Sequence, residues 1–106
     1  MTTAVDVDRV FVALADPTRR RVLELLGRSP TTASALAREL PVTRQGILKH
    51  LGVLRDSGLV ADVRAGREVR FHVRPESLVA TASWMTSMAA SWDERLALLK
   101  RQAEQS

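Results

Sequence analysis

The sequence contains no cysteine. Disulfides, thiolate metal sites and cysteine redox sensing are therefore excluded together. Histidine is scarce, with only His50 and His72, and no histidine–carboxylate cluster is visible. There is also no Ser/His/Asp or Cys/His set and no glycine-rich phosphate loop, so neither an enzyme nor a bound cofactor is expected. Asp6, Asp8, Asp93 and Glu94 read as exposed helix carboxylates that serve capping and solubility. No apolar run approaches the ~20 residues needed to span a bilayer. The opening M-T-T-A-V-D-V-D is acidic and polar, unlike a signal peptide. A cytoplasmic protein with no membrane partner is expected, organised as a single domain over its 106 residues.

What is present is basic charge, concentrated in the middle. Between Arg38 and Arg74 eight basic residues (Arg38, Arg44, Lys49, Arg55, Arg64, Arg67, Arg70, Arg74) face four acidic ones (Glu39, Asp56, Asp62, Glu68), while the flanks balance. The net charge of +4 thus lies wholly in the central third. A solvated surface is the plain account of such an excess; a polyanionic partner is the functional one.

That charge coincides with V-T-R-Q-G-I-L-K-H-L-G-V-L-R-D-S-G, from Val42 to Gly58. Thr43 is a good helix N-cap, and Ile47, Leu51 and Leu54 recur at helical spacing as a narrow apolar stripe. Gly58 closes the helix, since a left-handed residue there carries no side-chain penalty. The opposite face shows Arg44, Gln45, Leu48, Lys49 and Arg55. Such a helix, anchored behind and basic in front, fits a DNA major groove.

The rest of the chain mounts this helix. Residues 4–15 carry Val7, Val10, Phe11 and Leu14 at i, i+3, i+4, i+7. Asp16-Pro17 caps and starts a second helix to about Arg28, burying Val22, Leu25 and Leu26. Its first turns show Arg19, Arg20 and Arg21, which oppose the helix dipole. Either a demand other than helix stability selects them, or they form a solvated face. After Ser29-Pro30, Thr31 or Thr32 caps a short third helix with Ala33, Leu36, Ala37 and Leu40 inward. Pro41 leaves a turn of two or three residues before Thr43, the mark of a helix-turn-helix over about 32–57.

Leu59–Arg64 and Glu68–Val73 read as strands, with Val69, Phe71 and Val73 on one face and a turn at Ala65-Gly66. This is a wing over about 59–74, with Arg64 and Arg67 at its tip for a phosphate or a minor groove. Pro75 opens a last helix to about Gln102. Leu78, Ala82, Met85, Ala89, Trp92, Leu96 and Leu99 follow 4-3-4-3-4-3, a heptad seam flanked by Trp84 and Met88. One small domain cannot easily cover so long a helix on two sides, so a homodimer is expected. Its interface would use residues 4–15 and 75–102 through Val7, Phe11, Met85, Met88, Trp92, Leu96 and Leu99. The alternative is a helix lying wholly on its own core.

This order resembles the ArsR/SmtB family of winged-helix regulators. The likeness rests on F-V-A-L-A-D-P-T-R-R-R-V-L-E-L-L (Phe11 to Leu26), A-L-A-R-E-L (Ala35 to Leu40), Val42 to Val60, and A-G-R-E-V-R-F-H-V (Ala65 to Val73). The fold it implies is mainly α (α+β), a winged helix-turn-helix in the order α-α-α-α-β-β-α with a long C-terminal dimerisation helix. The function it implies is a homodimeric, autoregulatory repressor that binds double-stranded DNA and is released by some signal. By position, Thr43, Arg44, Gln45, Leu48 and Lys49 fall where the family touches DNA, and Arg64 and Arg67 fall on its wing. His50 falls on a family histidine, either as a hydrogen-bonded residue at a helix junction or as a phosphate contact. Gln45, Leu48 and Gly52 depart from the family's common pattern. The family's metal sensing is not expected here, because a site needs thiolates or clustered histidines and carboxylates.

The expected role is therefore a sequence-specific DNA-binding repressor on a palindromic operator. Arg44 and Gln45 would read base edges, Leu48 a thymine methyl, and Lys49, Arg55, Arg64 and Arg67 mainly phosphates. The alternative is a winged-helix protein–protein module on the same fold. Trp84, Met85, Met88 and Trp92 either line a pocket for an apolar small-molecule effector or, more simply, pack as core and interface.

Overall fold

In a computed structural model, which describes residues 5–105, the elements are α1 (Val7–Leu14), α2 (Pro17–Arg28), β1 (Thr31–Thr32), α3 (Ala33–Glu39), α4 (Arg44–Asp56), β2 (Val60–Ala65), β3 (Glu68–Val73) and α5 (Pro75–Gln105). Four helices start on a side chain that takes up an amide otherwise left without a partner. Asp6 accepts from the Arg9 amide at 3.2 Å, Asp16 from Arg19 at 2.9 Å, Thr32 from Ala35 at 3.1 Å and Thr43 from Gly46 at 3.1 Å. The first helix therefore begins at Val7 behind its Asp6 cap rather than at residue 4, which lies outside the described residues.

One apolar cluster joins these elements. Val10 and Ala13 of α1, Val22 and Leu26 of α2, Ala33 and Leu36 of α3, and Ile47, Leu51 and Leu54 of α4 meet Leu59, Val60 and Phe71 from the hairpin. The even stripe expected on α1 is divided between two partners. Val10 and Ala13 enter the core, whereas Phe11 stays partly exposed and meets Trp84 of α5 edge-on, ring centroids 5.7 Å apart. Arginines close the corner between α1 and α2. Arg19 donates to the Ala13 and Val12 carbonyls at 2.8 and 3.0 Å, and Arg20 to Leu14 at 2.6 Å. They satisfy the free carbonyls at the end of α1 and set positive charge at its negative dipole end, which outweighs their unfavourable place at the start of α2.

The sheet has three strands, in the order β1-β3-β2, all antiparallel. The added strand β1 corrects the expected order. Thr31 and Thr32 pair with Phe71 and Arg70, and two residues are too short to show any alternation in sequence. Ala65 pairs with Glu68, so the turn is Gly66-Arg67, one residue later than expected, with Gly66 at φ 64°.

The end of α4 is a Schellman motif: the Gly58 amide bonds the Arg55 carbonyl at 2.9 Å and the Leu59 amide bonds Leu54 at 3.0 Å, with both leucines buried. Gly58 takes φ 81°. The start of α5 is tied to this corner, because the Ser77 hydroxyl donates to the Gly58 carbonyl and the Arg74 amide to that of Leu59. Ser77 and Thr81 are buried, but every residue of α5 from 82 to 105 is exposed. The helix therefore does not lie on its own core. Beyond the contact of Trp84 with Phe11 it leaves the body as an arm of roughly 30 Å. The radius of gyration is 18.9 Å, well above the ~13 Å of a compact domain this size.

An alanine Cβ at Gly58 would meet the Ser77 hydroxyl at 2.8 Å, in addition to the backbone strain. Gly58→Ala should therefore lower stability in urea unfolding by more than the roughly 1–2 kcal/mol of a left-handed alanine alone. Adding Ser77→Ala should recover part of the loss, the signature of a direct clash.

Candidate nucleic-acid interface

The corner between α3 and α4 is tight because Val42 folds back over the first turn of α4. Its amide bonds the Leu40 carbonyl at 2.8 Å, and a Cβ at Gly46 would lie 2.7 Å from its side chain. Glycine at 46 is thus a packing requirement of the turn. With Ile47, Leu51 and Leu54 held inside, Arg44, Gln45, Leu48, Lys49 and Arg55 come out on one face, and Thr43 caps it at the N-terminal end. Leu48 is 37% exposed despite being apolar.

The neighbours of this face divide its cations. The Arg44 guanidinium donates to the Ser34 hydroxyl of α3 at 3.1 Å, which steers it across the corner. Arg55 lies 3.6 Å from Asp62 of β2, so the end of α4 is tied to the wing. Lys49 has no hydrogen bond or ion pair among those described. Arg64 and Arg67 stand exposed on the hairpin, and Arg67, though apart from the helix face in sequence, shares a cleft with Arg44, Leu48 and Arg55. Between α3–α4 and the hairpin runs a cleft of about 480 Å³. Arg38, Arg44, Arg55 and Arg67 line it against only Asp62 and Glu68. A positive cleft between a protruding helix and a wing suits a phosphate-bearing duplex.

Arg38, Ser34 and Asp62 are the members that sequence reasoning missed. Arg38 was visible only as charge; its place depends on how α3 crosses α4. Ser34 and Asp62 act by holding arginines, a role without any motif.

His50 is placed at the α2–α4 junction, its Nδ1 4.0 Å from the Asp16 carboxylate and its side chain 22% exposed. Asp16 also caps α2. Its carboxyl is held below its ordinary value of 3.8, first by the Arg19 amide it accepts from, against the opposing effect of partial burial, and further by the charges of Arg19 and His50. The residues expected at a dimer interface lie elsewhere, on α1 and the arm. Val7 is half-buried, whereas Phe11, Met85, Met88, Trp92, Leu96 and Leu99 are exposed, Trp92 by 53% and Leu99 by 60%. The Arg95 guanidinium lies 5.4 Å over the Trp92 ring. Among the described residues no group of three or more histidines and carboxylates is placed to hold a metal, and no helix is long and apolar enough to cross a membrane.

Because the Asp16 carboxylate is favoured in the folded state, its contribution is present above its ordinary value and is lost as pH falls through the depressed one. The stability gap between the native chain and Asp16→Asn should be largest near neutrality and close in acid, as read by thermal melting across pH. A gap that widened in acid would contradict the assignment.

A family model described as a helix-turn-helix domain matches residues 14–63. Among curated proteins, the chain is 41% identical over 80 residues to the HTH-type transcriptional regulator Rv2034 of Mycobacterium tuberculosis, covering 76% of this chain and 75% of that one. It is 29% identical over 90 residues to the transcriptional repressor SdpR of Bacillus subtilis, covering 85% and 100%. Among solved structures, an ArsR-like transcriptional regulator from Rhodococcus sp. RHA1 superposes with a TM-score of 0.91 at 45% identity, over 94% of this chain and 92% of that one. The family model takes in α2 to α4 and the start of β2, and the structural match, over 94% of this chain, takes in the helix order and the hairpin together. The chain belongs to the ArsR family of DNA-binding winged helix-turn-helix transcriptional regulators.

Proposed function

We propose that this chain is a sequence-specific, homodimeric repressor, acting in the cytoplasm on a palindromic operator that includes its own promoter. The observation that carries the reading is the single basic face of α4, continued by the wing arginines, on a body whose arm is unpaired. Residues 1–106 act as one DNA-binding domain. Its helix-turn-helix over about 32–57 enters a major groove, its wing over about 59–74 meets the adjoining backbone, and α1 with α5 pairs two copies. Arg44 and Gln45 read base edges, Arg44 on guanine and Gln45 on adenine, and Leu48 packs on a thymine methyl. Thr43, Lys49, Arg64 and Arg67 contact phosphates, and Arg55 does so from its ion pair with Asp62. His50 orients Asp16 and reaches the backbone only at its exposed edge. SdpR, named a repressor, supports the sign of regulation.

Two copies fit through the arm. The seam reads alike from both directions about Ala89: in an antiparallel pair Met85 meets Trp92, Ala82 meets Leu96 and Leu78 meets Leu99. Small alanine at the centre permits close approach. This orientation also brings Glu76 level with Arg101 of the other copy, where a parallel pair would align like charges. Val7 and Phe11 border the seam from α1, and Met88 flanks it. An apolar small molecule competing for Trp84, Met85, Met88 and Trp92 would weaken the pair and release the operator.

Selection of bound duplexes from a random pool should recover a palindrome with half-sites about 10–10.5 bp apart. Binding that is weak on every duplex, with little dependence on salt, would instead favour a protein–protein module. Arg44→Ala should cost roughly 1–3 kcal/mol on the recovered site and much less on random duplex. In a chain free of cysteine, Ala89→Cys should form a disulfide-linked dimer under mild oxidation, whereas Val79→Cys, which faces away from the seam, should not.

A further inference from the structure

Gly52 has no structural reason to be glycine within its own chain. It sits near the middle of the 13-residue α4, where glycine is less favourable than alanine. Gly46 is explained by Val42 and Gly58 by its positive φ, but a Cβ at Gly52 would meet nothing within 4 Å. Its φ is not in the left-handed region. Gly52 follows Gln45, Leu48 and Lys49 by seven, four and three residues and precedes Arg55 by three, so it lies in the middle of the exposed face of α4. The space a side chain would fill is open to whatever that face binds.

We infer that Gly52 is a position of closest approach between α4 and the sugar–phosphate backbone of DNA. The inference rests on the reading of α4 as the groove helix. A helix with its side chains is about 10–12 Å across and the major groove about 12 Å wide, so the walls lie close to the helix surface. Residue 52 is roughly 6 Å along the axis beyond Leu48. There the helix leaves the base edges that Arg44, Gln45 and Leu48 face and passes the groove wall. Without a Cβ, the helix backbone can seat against that wall. Leu48 and Lys49 on the N-terminal side and Arg55 and Asp56 on the C-terminal side frame the gap. The strand that fills it meets an apolar contact and two cations, one of them (Arg55) paired with Asp62, and passes the Asp56 carboxylate as it leaves the helix end. Glycine here lowers the stability of the free protein and improves the fit of the complex.

The test compares Gly52→Ala and Gly52→Lys with the native chain, using a duplex recovered from the random pool. Gly52→Ala should raise the melting temperature of the free protein by about 4–8 °C. The same variant should weaken duplex binding by about tenfold or more, since the added methyl is forced against the wall. Gly52→Lys should also bind more weakly, its size outweighing its charge. Native-level binding by Gly52→Ala, or tighter and more salt-dependent binding by Gly52→Lys, would overturn the inference by showing that the gap stays open in the complex. A loss of self-association by Gly52→Ala in sedimentation without DNA would overturn it too, assigning the gap to a second copy. Arg44→Ala separates the two readings. If Arg44→Ala loses binding while Gly52→Ala does not, only the role of Gly52 fails; if neither loses it, α4 is not the groove helix.

Discussion

Burial of three side chains along one edge of α4 is the constraint on which the rest depends. Ile47, Leu51 and Leu54 are each at most 1% exposed and share one core cluster with residues of α1, α2, α3 and the hairpin. At roughly 1.5–3 kcal/mol for each buried aliphatic side chain, this edge is a large share of the stability of a small domain. It also fixes the rotation of the helix about its axis. With that rotation set, Arg44, Gln45, Leu48 and Lys49 have only one direction in which to point. Slipping the stripe by one residue would turn the basic face by about 100° and bring charge into the core.

The corners serve the same end. Asp16 caps α2 and stands beside His50 of α4, so one carboxylate fixes a helix start and marks a helix crossing. Arg19 and Arg20 read in the sequence as cations placed against the dipole of α2, for a demand other than helix stability or as a solvated face, yet they terminate α1. Arg55 and Asp62 tie the far end of α4 to β2. The Arg55–Asp62 pair is exposed and weak by itself, and its value is in geometry rather than in stability.

The arm enters the same geometry through its first turns. Ser77 holds the carbonyl of Gly58, the residue that ends α4, and Thr81 turns its hydroxyl back onto the Ser77 carbonyl at 2.8 Å. The direction in which α5 leaves the body is therefore set by the end of α4. In the proposed dimer, the pairing of two arms would set the distance and tilt between two basic faces. A ligand that altered that pairing would reach DNA through this corner without touching it.

Much of this was decided locally. The caps, the Asp16-Pro17 start, the α4 stripe and the heptad seam each depend on residues within a few turns of one another, so periodicity and capping chemistry make them legible in the sequence. The family's order of elements was legible for the same reason. Other features join residues far apart in the chain, and only the tertiary structure decided them. Strand β1 exists because Thr31 and Thr32 meet β3 some forty residues later. Arg38 joins the basic cleft, Arg44 leans on Ser34 and Arg55 on Asp62 because of how α3, α4 and the hairpin cross. The open space at Gly52 is likewise invisible in a string of letters: glycine reads the same whether a neighbour crowds it or nothing does, and only coordinates distinguish the two.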